Sequence, residues 1–173
     1  VLNIPVTDAY EKAVQLIVEQ IHQKKGKLVT SGMGKAGQIA MNIATTFCST
    51  GIPSVFLHPS EAQHGDLGIL QKNDLLLLIS NSGKTREIVS AVRTARECGA
   101  PTIGITGYPD TPLKEVSDIC LELYSPEQLF VSPRVAQFSL IDTLYVSLAI
   151  RRKDSVVQNI ERMNEVLKPF RME

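Results

Sequence analysis

The sequence predicts an α/β fold, a doubly wound parallel sheet of five strands with helices on both faces, formed by residues 1–173 as a single domain. Three observations carry this. Short apolar runs at 28–31, 54–57, 75–79, 101–106 and 119–123 alternate with helical patterns, the order that produces parallel βαβ units. The run 75–79 is continuously apolar, as expected of a strand covered on both faces. Polar turns follow the first, third and fourth runs, so they would gather at the carboxyl ends of the strands, where such sheets bind ligands.

Each element has a local cause. Residues 7–11 supply a cap followed three residues later by Glu11, and Ala13, Val14, Ile17, Val18 and Ile21 then recur at helical spacing. Lys24, Lys25 and Gly26 end this amphipathic helix, with basic residues in the last turn and a glycine stop. After the strand at 28–31, GMGKAG leads into a second helix whose buried face is Ile39, Ala40, Ile43, Ala44 and Phe47. The second strand runs into the polar stretch 60–66, expected as a loop or a single helical turn. Following the third strand, a helix turns Ile88, Val89, Val92 and Ala95 inward and Arg93, Arg96 and Glu97 outward, and Gly99 closes it. A short helix at 112–116 separates the last two strands. Beyond residue 133, Val135, Phe138, Ile141, Leu144, Tyr145 and Leu148 mark a long helix, and Val156, Ile160, Met163 and Leu167 mark another. Both stripes are expected as packing or subunit-contact surface. Residues 125–133 read as a loop within the domain.

The turn after the third strand carries the clearest chemistry. The strand stops at Ser80-Asn81-Ser82-Gly83, where Gly83 permits a tight turn and Ser80, Ser82 and Thr85 bring three hydroxyls to the start of a helix. Free backbone N–H groups and the helix dipole favour an anion there, and a phosphate group fits. An ordinary strand-to-helix turn capped by serine accounts for the same residues. Two nucleotide-binding patterns fail. Gly32, Gly34 and Gly37 fit G-x-G-x-x-G between strand and helix, but the next strand ends in His58-Pro59 where a dinucleotide site needs an acidic residue. Residues 82–85 mimic the end of a Walker A loop, yet the first glycine it requires falls at Leu78.

Four stretches together identify a resemblance: GMGKAG at 32–37, STGIPSVFLHPSEAQHGDLG at 49–68, ISNSG at 79–83 and ITGYPDTPL at 105–113. They resemble the SIS (sugar isomerase) domain family. Over 27–123, the pairing of HPSEAQHGDLG with ISNSG is similar to the isomerase domain of arabinose 5-phosphate isomerases. Residues 132–152 look more like the C-terminal helices of SIS domains in RpiR-type transcription regulators. The resemblance implies a flavodoxin-like three-layer SIS fold and an aldose–ketose isomerase that needs no cofactor. It also implies a homo-oligomer, expected as a tetramer with sites at subunit boundaries. The reaction it implies converts ribulose 5-phosphate to arabinose 5-phosphate, the supply step for the acid sugar Kdo of lipopolysaccharide or capsule. Two departures stand out. Lys84 replaces the glutamate usual after SNSG, and the C-terminal SHPGG stretch with its histidine, together with the CBS domains of longer relatives, has no counterpart in these residues.

Composition bounds the alternatives. With 43% hydrophobic residues in 173, the chain can bury one sizeable core but not two ordinary ones. Lys plus Arg and Asp plus Glu both number 18, so the net basic field that drives nucleic-acid binding is missing. The apolar runs fall short of the ~18 residues of a membrane span, and no signal-peptide pattern opens the sequence. A soluble, cytoplasmic protein is expected. Cys48, Cys98 and Cys120 are isolated, without a partner at metal-ligand spacing, and are expected as small core hydrophobes rather than a zinc site or a disulfide framework.

An aldose–ketose isomerase must hold the phosphate, place a base beside C1 and C2, and stabilise the enediolate oxygen. Ser31, Gly32, Ser80, Asn81, Ser82, Gly83 and Thr85 are the candidate phosphate ligands. Lys35 is the candidate cation for phosphate or enediolate charge, because a lysine at a helix start otherwise opposes the dipole. His64 and Glu87 are the candidate acid/base groups, histidine because its reference pKa of about 6.5 lets it take and return a proton near neutrality. Lys35, His64 and Glu87 also fall on positions that the resemblance marks as functional. His22 and His58 are expected to be structural. The alternatives are a hexulose-phosphate isomerase and a sensor domain that binds a sugar phosphate without turning it over. CMP-Kdo, whose phosphate and carboxylate suit the same hydroxyls and Lys35, is the expected feedback ligand.

Overall fold

The computed structural model describes residues 8–123 and 134–170. Its five strands are β1 (Leu28–Gly32), β2 (Ser54–Phe56), β3 (Leu75–Ile79), β4 (Thr102–Thr106) and β5 (Ile119–Glu122). All pair in parallel, in the order β2-β1-β3-β4-β5, with Leu28 opposite both Ser54 and Leu75 and Leu76 opposite Thr102. β1, β3 and β4 are buried at every position, and β3 accordingly reads as an unbroken apolar run rather than an alternating one.

The two-residue period of β3 divides the core. Leu75, Leu77 and Ile79 join one cluster with residues of α1 (Asp8–Ile17), α2 (Lys35–Cys48) and α6 (Arg134–Arg151). Leu76 and Leu78 join the other, with α3 (Pro59–Gln63), α4 (Arg86–Glu97) and α5 (Pro112–Val116). Each such leucine, taken from full exposure, contributes roughly 1.5–3 kcal/mol. A strand of five therefore ties both helical layers to one backbone. α2 buries the expected face, Ile39, Ala40, Ile43, Ala44 and Phe47. Asp74, just before β3, accepts from the backbone N–H groups of Lys27 and Gln71, each at 2.8 Å, and pairs with Lys27 Nζ at 2.5 Å, so the starts of β1 and β3 are clamped together.

Several expectations are corrected. The first helix does not run regularly to a glycine stop. α1 passes into a π-helical stretch, Val18–Gln23, which buries Gln20, and the left-handed residue at its end is Lys25 (φ 58). Gly26 is required for close approach instead, since a Cβ there would stand 1.9 Å from the Asn73 carbonyl oxygen. The stretch after β2 takes the helical one of its two expected forms: Pro59–Gln63 is a short helix and Asp66–Ile69 a 3-10 turn. Ala91, not Val89, completes the buried face of α4. Cys48 and Cys98 are exposed and Cys120 half-buried, so the cysteines are not core residues.

The two C-terminal helices form where expected, and their apolar positions divide between an inward and an outward face. α6 turns Ala136, Gln137, Leu140, Ile141, Leu144 and Leu148 inward, leaving Val135 and Phe138 exposed. α7 (Lys153–Leu167) buries Val156 alone, and Ile160 and Leu167 face outward. Thr7 of the expected capping stretch and the loop at 125–133 lie outside the described residues. Among the described residues no helix is long and apolar enough to cross a membrane.

Candidate functional site

In a sheet ordered 2-1-3-4-5, successive crossovers diverge between β1 and β3, leaving a crevice at the carboxyl ends of those strands. Both chemistry-bearing turns open there. A cavity of about 310 Å³ occupies the crevice. Its polar lining consists of Lys35, Ser80, Asn81, Ser82, Thr85 and Gln137, and Met33, Ala36 and Ile79 supply the apolar part.

The β1 side is built by backbone constraint. Gly34 caps α2 at φ 59 and ψ −125, a conformation costly for any side chain, and Lys35 is the first helical residue. Gly32 and Gly37 interlock, because a Cβ on Gly37 would stand 2.7 Å from the Gly32 carbonyl oxygen. The helix start is thereby pressed against the strand end. Lys35 is exposed, and no acidic partner neutralises it among the described residues.

The β3 side is anchored to its neighbours. Ser80 N–H donates to the Ile105 carbonyl (3.0 Å), Gly107 N–H to the Asn81 carbonyl (2.9 Å) and Leu113 N–H to the Gly83 carbonyl (3.0 Å). Ser80 Oγ and Thr85 Oγ1 lie 3.2 Å apart across the turn, and Lys84 N–H donates to Ser82 Oγ at 3.3 Å. Helix α4 begins at Arg86 with Thr85 as N-cap, so Ser80, Ser82 and Gly83 lie in the turn that precedes the helix. Thr85 spends its hydroxyl on Ser80 rather than on a cap. Asn81 Oδ1 is buried without a hydrogen-bond partner.

Five of the candidates, Lys35, Ser80, Asn81, Ser82 and Thr85, therefore meet around one cavity. Ser31, Gly32, Gly83, His64 and Glu87 are not part of its lining. Ser31 is buried at the end of β1, its Oγ unpartnered. His64 is the exposed C-terminal cap of α3, while Glu87 is half-buried in the first turn of α4, the helix against which α3 packs. No hydrogen bond joins the two side chains. Lys35 is thus the one titratable group lining the cavity among the described residues. His58 acts structurally: its Nδ1 accepts from Ser60 N–H at 3.3 Å, and its ring meets Phe56 edge-on at 6.3 Å. Lys84 lines a neighbouring cavity of about 470 Å³ with Tyr108, Pro109 and Asp110, which Ser82 shares.

Sequence reasoning missed Gln137. It lies more than fifty residues from the serine turn, on a helix read by its apolar positions alone. The signal was a glutamine in register with Leu140, Ile141, Leu144 and Leu148, a polar residue on what proves to be the buried stripe.

The SIS domain family model matches residues 20–147, well over half of the chain. The chain belongs to the SIS domain family. Among curated proteins, this SIS chain is 41% identical over 117 residues to the arabinose 5-phosphate isomerase KdsD of Pseudomonas aeruginosa, a match covering 68% of the chain and 35% of that protein. The chain spans about a third of the length of the curated relatives it matches. Among solved structures, a Bacteroides fragilis protein assigned as a phosphosugar isomerase involved in capsule formation is 62% identical, with a TM-score of 0.82 over 91% of this chain and 88% of that one. A protein of Escherichia coli CFT073 solved in complex with arabinose 5-phosphate is 34% identical, with a TM-score of 0.75 over 87% of this chain and 82% of that one.

Proposed function

We propose that this SIS domain is a phosphosugar aldose–ketose isomerase interconverting ribulose 5-phosphate and arabinose 5-phosphate. The observation that carries this is the convergence of Lys35 with the hydroxyls of Ser80, Ser82 and Thr85 on one cavity at the switch point of the sheet. Hydroxyls and a cation beside a helix start suit a phosphate dianion, and the apolar remainder of the lining suits the carbon chain. The similarity to KdsD and to the protein solved with arabinose 5-phosphate supports the pentose over other phosphosugars.

The reaction moves two protons. A base removes one from C2 of the open-chain aldose, leaving an enediolate with its charge on O1. The O2 hydroxyl proton passes to O1, and the carbon-bound proton returns at C1 as the C2 carbonyl forms, giving the ketose. Lys35 offsets the charge on phosphate and enediolate. His64, with Glu87 as orienting partner, carries the carbon-bound proton; both stand outside the cavity lining, and catalytic contacts commonly tighten only around substrate. The product serves Kdo synthesis for capsule or lipopolysaccharide, in the cytoplasm, and CMP-Kdo binds the same cavity as feedback ligand. Incubation with each pentose phosphate in deuterated water tests the proposal. Deuterium should enter C1 of ribulose 5-phosphate and C2 of arabinose 5-phosphate, and its absence from both sinks the isomerase.

One observation favours a second reading, a sensor that binds sugar phosphate without turnover: Lys35 is the only titratable lining group among the described residues. Saturable binding of a pentose phosphate with no exchange distinguishes it. A hexulose phosphate that exchanges faster than either pentose phosphate would instead reassign the substrate.

A further inference from the structure

Gln137 is a buried residue whose side-chain amide has no hydrogen-bond partner among the described residues. At 2% exposure it lies on the inward face of α6. An amide that no described residue pairs, opening onto a cavity, is free to bond a ligand there. What its side chain does meet is the cavity between β1 and β3.

Its direction of approach is informative. Gln137 comes from the layer that contains α1 and α2, whereas the turn bearing Ser82 and Thr85 leads into α4 in the opposite layer. A ligand whose phosphate rests on those hydroxyls and on Lys35 would therefore present its carbon chain toward α6. An amide supplies two donors and an acceptor without charge, which matches an open-chain sugar carrying both hydroxyls and a carbonyl. A carboxylate there would repel the phosphate.

We infer that Gln137 is a substrate-binding residue that hydrogen-bonds the hydroxyl or carbonyl oxygens of an open-chain sugar phosphate, beyond the part held by Ser80, Ser82, Thr85 and Lys35. This rests on the proposed phosphosugar site. It makes Gln137 the group by which the cavity distinguishes a sugar phosphate from phosphate alone.

Gln137→Met removes the amide at nearly constant volume. Titration calorimetry of wild type and variant, with arabinose 5-phosphate and with inorganic phosphate, reads the effect, alongside thermal unfolding without ligand. Affinity for arabinose 5-phosphate should fall about tenfold, the loss of one net hydrogen bond. Affinity for inorganic phosphate should stay the same, and the ligand-free melting temperature should hold, because the amide makes no hydrogen bond to the described residues. Equal sugar-phosphate affinity in the two proteins overturns the assignment, as does a lower melting temperature with both ligands weakened alike. Wild-type protein that binds no pentose phosphate is a different failure, that of the proposed site itself, and takes this inference with it. If Gln137→Met does not fold, Gln137→Leu is read in the same way. Failure of both to fold marks the amide as structural and overturns the proposal.

Discussion

Gly83 and Thr111 touch across the mouth of the sheet: a Cβ on Gly83 would stand 2.5 Å from both Cβ and Oγ1 of Thr111. Gly83 also holds φ 62, in the left-handed region. Two constraints thus coincide at the residue that closes the serine turn, one conformational and one steric. Gly83→Ala should destabilise by roughly 2 to 5 kcal/mol, adding left-handed backbone strain to overpacking. Urea unfolding measures it, and a variant as stable as wild type would show that α5 yields easily. Phosphate affinity should drop too, since displacing Gly83 moves Ser82.

The apolar residues left outside α6 and α7 predict assembly. Val135 is 72% exposed, Ile150 71% and Phe170 79%, with Val157, Ile160 and Val166 also facing outward. Apolar surface on this scale is usually covered by a partner. A homo-oligomer is expected, most simply a tetramer, and light scattering at micromolar concentration checks its mass. Ile150→Asp should shift the population toward smaller species. A monomeric wild type contradicts the expectation.

Burial pushes the Cys120 thiol up to about 11 from 9.0; the Glu122 carboxylate adds to the rise and Lys114 opposes it. The sign follows from proton uptake. Between those values the unfolded chain has released the thiol proton while the folded chain retains it, so stability present below about 9 is lost as pH rises through about 11. Cys120→Ala should therefore flatten the alkaline limb of a stability–pH curve. At pH near 8, a thiol reagent should modify exposed Cys98 well before Cys120.

Binding of CMP-Kdo is expected to be saturable and to compete with inorganic phosphate. Lys35→Ala should weaken it, because that side chain is the cation lining the cavity. A titration with no saturable signal up to millimolar concentration removes the idea.

Strands were far more legible in the sequence than helix faces. Leu75–Ile79 is unbroken because both of its faces are covered, and Pro112–Val116 announces itself by a proline at its start, so both match their expected bounds. α6 misled because two apolar stripes compete on it. Ala136 and Gln137 face inward while Val135 and Phe138 face outward, and apolar content alone cannot rank a core face against a face awaiting a partner. The buried Gln20 of the π-helical stretch left no signal, since the extra residue per turn has no sequence pattern of its own. Within the site, the turn at 80–85 was legible because strand, glycine and hydroxyls are contiguous. The positions of His64 and Glu87 relative to the cavity were not. They depend on how α3 packs against α4, a contact between elements separated in sequence.

That separation makes proton transfer the decisive test. His64 is exposed and Glu87 half-buried, neither bonded to the other, so geometry does not rank them as base. Their kinetic signatures differ from that of a phosphate ligand. Loss of a positioned acid/base group typically lowers the rate about 10²- to 10⁴-fold, whereas loss of a phosphate hydroxyl mainly weakens binding. His64→Asn should therefore lower kcat strongly with KM within a few-fold, and Ser82→Ala should raise KM with kcat little changed. Glu87→Gln should produce a smaller fall in kcat, as expected of an orienting partner. If His64→Asn retains near-normal turnover while Glu87→Gln abolishes it in a folded protein, the roles are exchanged. If neither substitution affects turnover, the base is supplied from outside these motifs. If His64→Asn and Lys35→Ala are each inactive, mixing their subunits becomes informative. Activity restored in the mixture would show that one subunit completes another's site.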